Sequence, residues 1–337
     1  MRAGVAASLA VERVNEDGAK HINKRPIAVV HGDSGDGVAG AAQQATRFLA
    51  IGQAQALIAG RNSAEFDRLM AVAESQQAMI VSPSGGGTVP PSKLVIPIGL
   101  SARERGRCLA KYLVEERKIK DAAVVLDSTS SVYGECASGF EQEFKHADRT
   151  LRTGFEVRNA KDAESVARRL TEVRPGAVVY CGSGEIFFEL RSMLRANREW
   201  FDNTPIVYGG EDEAKIANSE ADRSRGVILT TAFHADDKAA SVQDFATRFR
   251  NRNNGRDPDS ESALTYDAVM LLLTTAKKVD TFEVKKLAPE FEKIDDATCL
   301  TGPFWLTKER QPRRTVYVVE MQDGKVVLRK SYPPEKK

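Results

Sequence analysis

The sequence predicts an α/β protein built on parallel, doubly wound sheets. Three observations predict it. Apolar runs of strand length alternate with segments of helical period along most of the chain. The runs are continuous in Val, Ile and Ala rather than alternating, as strands covered by helices on both faces require. The chain's 337 residues also exceed what one hydrophobic core usually organises, so two domains are expected.

The chain opens in an amphipathic helical pattern, with Val5, Leu9, Ala10 and Val14 on one face. Strands are expected at 26–31 ("PIAVVH"), 55–59, 78–82, 121–127, 176–181, 205–209 and 226–231. Between them lie helical stretches at 38–50, 64–76, 102–117, 133–146, 162–172 and 184–196. Two more helices follow, 238–252 and 261–279, separated by the polar loop "NRNNGRDPDS". The tail reads as two strands, "TVYVVEM" and "KVVLRK", joined by a "QDG" turn. Breaks fall near residues 97–106 and 230–241 without a flexible linker at either, which suggests two lobes joined by several strands.

Composition narrows the function classes. Acidic and basic residues nearly cancel, 47 against 49, so no basic excess points to nucleic acid or an anionic membrane. The longest apolar stretch, "AVMLLL" at 268–273, is too short to span a bilayer. Cys108, Cys136, Cys181 and Cys299 form no CxxC pair, and the four histidines are equally scattered, so no metal site is expected. No basic start followed by an apolar core opens the chain.

Gly35, Gly37 and Gly40 satisfy GxGxxG between a strand and a helix, the context of a dinucleotide fingerprint. Against that reading, "HGDS" intervenes before the turn, and the next strand ends "LIAGRNS" without an acidic residue for a ribose. Arg61 could instead meet a 2′-phosphate, which leaves an NADP-dependent enzyme as an alternative. The acidic "GDSGDG" lacks the further oxygen ligands of a calcium loop and reads as a turn capped by Asp33. No phosphate-cradling GxxxxGK[ST] occurs, and Ser183 in "CGSGE" has no histidine placed as its base.

What remains is polar residues at the carboxyl ends of strands, where doubly wound sheets bind ligands. Ser63 follows the strand 55–59, although it could equally cap the helix 64–76. Ser82, Ser84, Gly85 and Gly86 follow 78–82, and Tyr133 follows 121–127. Ser183 follows 176–181, and Glu211 with Asp212 follows 205–209. Hydroxyls and amides from the first half and an aromatic with carboxylates from the second suit a small zwitterion.

Several blocks, "GVAASLAVERVNEDG", "DSGDGVAGAAQQATRFLA", "VSPS", "SVYGECASGFEQEF" and "LTYDAVMLL", resemble the type I periplasmic binding proteins. The likeness runs in order along essentially the whole chain, nearest to the branched-chain amino-acid binding proteins of ABC transporters and related receptor ligand-binding regions. It implies two Rossmann-like lobes, 1–99 with 236–302 and 100–235 with 303–337, joined by a multi-strand hinge and closing on a ligand. It also implies an extracytoplasmic solute receptor with no cofactor and no catalysis. The partner would be an ABC permease, or a fused signalling domain if the chain is a sensor.

By that resemblance Ser63 contacts a ligand carboxylate, and the "SPSGG" loop offers amides with Ser84 in the amide position. Gly86 stands where the family has Thr, so its hydroxyl is missing unless Thr88 shifts inward. Tyr133 matches the family's "YG" tyrosine, Ser183 stands where a second aromatic is usual, and Glu211 or Asp212 would meet the ammonium. The resemblance further implies a first strand, central in the amino-terminal sheet, preceding residue 1.

Overall fold

In the computed structural model, residues 2–16, 21–22, 25–33, 35, 37–88, 91–294 and 297–335 are described. They divide into two compact units. The first takes Met1–Ser101, Ala232–Thr315 and Pro333–Lys337; the second takes Ala102–Thr231 and Val316–Tyr332.

The second unit is a seven-stranded sheet. Its order is Lys325–Tyr332, Val316–Gln322, Val227–Thr231, Ile206–Tyr208, Val178–Cys181, Asp121–Asp127 and Thr150–Val157. The last five strands run parallel, and only the two tail strands are antiparallel. The sheet is covered on both faces, which is why its central strands read as unbroken apolar runs. One face buries Phe155, Tyr180, Phe187 and Tyr208; the other buries Leu109, Phe140, Phe144 and Val179. Each such side chain contributes about 1.5–3 kcal/mol on burial. On the second face the helices Ala102–Glu115 and Ser131–His146 lie close together. A Cβ on Gly106 would collide with the Cys136 carbonyl, and one on Gly139 with the Arg103 carbonyl. The "QDG" turn is of the hairpin type, with positive φ at both Asp323 and Gly324.

The first unit holds a three-stranded parallel sheet, Ala56–Ile58, Met79–Ser82 and Val95–Pro97. Met79, Val81 and Ile96 pack on one side with Ala268 and Leu272 of the helix Ser260–Val279. Phe66, Leu69, Ile80 and Val95 form the core of the other. An antiparallel sheet, Ala297–Cys299, Gly302–Leu306 and Pro312–Arg314, belongs to the same unit. Its pairing keeps 303–315 with the first unit, so the last crossing falls after Thr315 and not at 302.

The expected strand 26–31 does not form. Arg25–Pro26 pairs with His21–Ile22 in a two-stranded antiparallel ladder, and 27–33 carries no strand. An apolar run becomes a strand only through a neighbouring ladder and burial. Here Val29 and Val30 are exposed, Val30 at 73%. The strand Thr150–Val157 was not anticipated; it sits at a sheet edge, where its alternation of exposed residues replaces an apolar run. Of the "GDSGDG" turn, Ser34 and Asp36 lie outside the described residues, while Asp33 accepts the Gly35 N–H at 2.9 Å.

Candidate functional site

In the first unit, Ser82, Ser84, Gly85 and Gly86 form one loop at the carboxyl end of Met79–Ser82. Ser82 is fully buried; its hydroxyl donates to the Gly60 carbonyl at 3.1 Å and accepts the Ser84 N–H at 3.3 Å. It thereby ties two strand ends together. The Ser84 hydroxyl donates to the Gly86 carbonyl at 3.0 Å and accepts the Gly86 N–H at 3.3 Å, closing a small turn. The glycines answer to close backbone packing. A Cβ on Gly85 would strike the Leu100 carbonyl, and one on Gly87 the Asp67 carboxylate. Gly86 has φ 116°, a conformation that glycine adopts without strain.

Asp67 was not anticipated from sequence. Its carboxylate accepts the Thr88 N–H at 3.0 Å and the Thr88 hydroxyl at 2.6 Å. Thr88 is exposed and its hydroxyl donates to Asp67, so it does not replace the hydroxyl missing at Gly86. Ser63 is buried in the first turn of the helix Ser63–Gln76. The cap is its neighbour Asn62, which accepts the Glu65 N–H at 2.9 Å, so the capping role offered for Ser63 is not its own. Arg61 is clamped by Glu65, its guanidinium at 2.9 Å and its own N–H at 2.9 Å. The side chain that a 2′-phosphate would need therefore already faces a carboxylate.

In the second unit, Tyr133, Ser183, Glu211 and Asp212 gather at the carboxyl ends of Asp121–Asp127, Val178–Cys181 and Ile206–Tyr208. Two carboxylates close the amino end of the helix Gly184–Leu194: Asp127 accepts the Ser183 N–H at 3.1 Å, and Asp212 accepts the Gly184 N–H at 2.8 Å. That positive helix end is thus already compensated. Asp127 also accepts the Thr129 N–H, and the Tyr208 hydroxyl accepts the Asp212 N–H at 3.1 Å. Burial raises the Tyr133 phenol's pKa, and the charges of Asp212, Glu211 and Asp127 raise it further. Tyr133 is therefore a neutral hydroxyl set among three carboxylates.

Arg105 is the counter-charge nearby, 8% exposed and 2.6 Å from Glu213. Burial pulls its pKa down, but Glu213 and Glu211 outweigh burial and hold the guanidinium above its ordinary value. Two carboxylates, Glu213 and Glu211, act on this one guanidinium, while Asp127 and Asp212 lie by Tyr133, so the carboxylates outnumber the cation. Asp127 was legible as a carboxylate ending a strand; Arg105 and Glu213 carried no comparable signal, because each lies in a run of charges. Among the described residues no His/Cys/Asp/Glu group is arranged to hold a metal, and no helix is long and apolar enough to cross a membrane.

The model of one protein family, described as periplasmic binding protein, matches residues 2–325. A search of curated protein sequences finds no match. Among solved structures, a leucine-binding protein from Thermotoga maritima superposes with TM-score 0.81 at 18% identity, covering 99% of this chain and 95% of that one. A branched-chain amino-acid transporter substrate-binding protein from Streptococcus pneumoniae, in complex with isoleucine, gives 0.79 at 20%, covering 99% and 94%. An ABC transporter solute-binding protein from R. palustris, in complex with benzoate, gives 0.76 at 18%, covering 100% and 94%. At these identities the neighbours establish the type I periplasmic binding protein fold. The family match extends over nearly the full length, and this chain belongs to the periplasmic binding protein family, a family of binding receptors and not of enzymes.

Proposed function

We propose that the protein is the extracytoplasmic solute receptor of an ABC transporter and that its ligand is a small amino-acid-like molecule. The observation that carries the reading is the electronegative cluster around Tyr133, where Asp127, Asp212 and Glu211 favour an ammonium. In the first unit, Ser63 and the Gly85 amide are the proposed carboxylate donors, with Ser82 positioning that loop from behind; the Ser84 hydroxyl and the Gly86 amide, which hydrogen-bond each other here, join them by exchanging that small turn for the ligand. Ser183 and Gly86 stand where the resemblance implies an aromatic and a Thr, and these smaller residues suit a bulkier ligand side chain.

The test is a thermal-shift screen of the purified chain against amino acids, their amides, the corresponding des-amino acids, benzoate and nucleotides. A ligand at a hundredfold its Kd adds about 2.7 kcal/mol. Stabilisation by an amino acid and not by its des-amino analogue is expected. Equal stabilisation by both, or by benzoate alone, overturns the ammonium assignment; stabilisation by NADP alone overturns the receptor reading.

A further inference from the structure

The second unit contains a cavity of about 590 Å³ far from the residues assigned above. Ile206 and Gly226 line it, so it lies at the amino ends of Ile206–Tyr208 and Val227–Thr231, the opposite end of the parallel sheet from Ser183 and Glu211. Five arginines line it. Two are answered by carboxylates: Arg117 by Glu320 at 3.7 Å and Arg225 by Asp323 at 2.9 Å. Arg191, Arg195 and Arg198 have no carboxylate within ion-pair distance among the described residues. Asp202 and Asp222 also line the cavity, but neither carboxylate pairs with them; Arg195 donates instead to the Asp222 backbone carbonyl.

Arg191 is the informative one. It is 4% exposed, its Nη groups donate to the Arg223 and Arg225 carbonyls, and its Nε–H finds no acceptor among the described residues. Its guanidinium lies 5.2 Å from the centre of the Phe201 ring, and that of Arg195 lies 5.9 Å from the same ring. Two like charges therefore lie against one aromatic ring. Burial first, and then the repulsion of Arg195, lower the Arg191 pKa to about 10. A buried cation without a counter-charge is costly, and the arrangement persists most cheaply when an anion completes it. Guanidinium forks bind phosphate-type oxygens in pairs, and the cavity is larger than a bare ion needs.

We propose that this cavity is a second ligand site, taking a compact multivalent oxyanion of the phosphate class, held by Arg191, Arg195 and Arg198. The source is either the free ion or the phosphate of a small monoester. The experiment titrates the full chain in Tris chloride with inorganic phosphate, sulfate and glycerol 3-phosphate, each against chloride at equal ionic strength, by calorimetry and melting temperature. Saturable one-site binding is expected, weakened about tenfold or more by Arg195→Gln and by Arg198→Gln, as loss of a charged hydrogen-bond partner implies. Both arginines are less buried than Arg191, so the variants remain folded, and melting in chloride alone checks this. A response to phosphate assigns the free ion; a response to glycerol 3-phosphate only assigns the monoester. Anions acting no differently from chloride, or both variants titrating as the wild type does, overturn the proposal. It does not rest on the amino-acid reading above.

Discussion

Arg314 in the first unit and Arg191 in the second are buried to nearly the same degree, 3% and 4%, yet their surroundings differ. Arg314 lies 3.6 Å from Asp267 and donates to the Ile98 carbonyl and the Thr301 hydroxyl. Asp267 in turn accepts the Leu300 and Thr301 N–H groups at 2.7 and 3.1 Å. Charge and counter-charge meet within the chain, joining the helix Ser260–Val279 to the strand Pro312–Arg314. Arg191 has carbonyls and a ring but no carboxylate. A buried charge answered from within the protein holds the fold; one left unanswered marks a place where something from outside fits. Arg105 stands between them, paired with Glu213 but beside more carboxylate than it neutralises.

The largest effect that would sharpen this contrast comes from Asp267→Ala. Removing one partner of a buried pair costs about 3–5 kcal/mol, because the other charge stays buried. Arg191→Met removes a charge with no such partner and leaves two carbonyls unsatisfied, so a smaller loss of about 1–3 kcal/mol is expected in phosphate-free buffer. Each unit carries one tryptophan, Trp305 in the first and Trp200 in the second. Urea unfolding in a Trp200→Phe background follows the first unit and in a Trp305→Phe background the second. Equal losses for the two variants would break the distinction.

Next in size is the effect on ligand binding at the Tyr133 cluster. Glu211→Gln is expected to weaken the ligand found by the screen by about 2–5 kcal/mol, as for one member of a desolvated charge pair. Tyr133→Phe removes one neutral hydrogen bond, about 0.5–1.5 kcal/mol. Calorimetry with both variants ranks them; Tyr133→Phe outweighing Glu211→Gln would move recognition from charge to the phenol.

Legibility in the sequence follows the same physics. Asp121–Asp127 was read to its ends because a central parallel strand is apolar on both faces, whatever its neighbours are. Thr150–Val157, at the edge, was missed because only one face needs to be apolar. The run 26–31 was misread because composition cannot say whether a neighbouring strand exists. At the candidate site, strand ends were readable from spacing, and so Tyr133, Ser183 and Glu211 were named as candidates. Asp67 and Arg105 were not, since a charged residue on a helix looks the same in sequence whether it faces solvent or a partner elsewhere in the chain. Asp267 lies inside "LTYDAVMLL", a block that carried the family resemblance, and its role is to hold Arg314.

The smallest expected effect concerns a carboxylate that mirrors Arg191 with the sign reversed. Glu261 lies in the first turn of the helix Ser260–Val279, partly buried. Burial raises its pKa above the ordinary 4.5, and the neighbouring charges of Asp259 and Glu65 raise it further, while Arg61 lowers it. Arg61 is already engaged by Glu65, and Asp259 by Arg2 at 2.8 Å, so neither cation is dedicated to Glu261. A folded pKa above the unfolded one means that the folded chain binds the proton more tightly. The stabilisation from this group is then fully present below the ordinary glutamate range and is lost as pH rises through the folded value. Glu261→Gln removes that dependence while keeping the shape. Urea midpoints followed through Trp305 from about pH 4 to pH 7 should show the wild type losing stability relative to the variant as pH rises above the ordinary glutamate value. Parallel curves would mean that Arg61 compensates Glu261 in full. A wild type that gains on the variant with rising pH would mean that the helix amino end, which favours negative charge, outweighs both burial and Asp259.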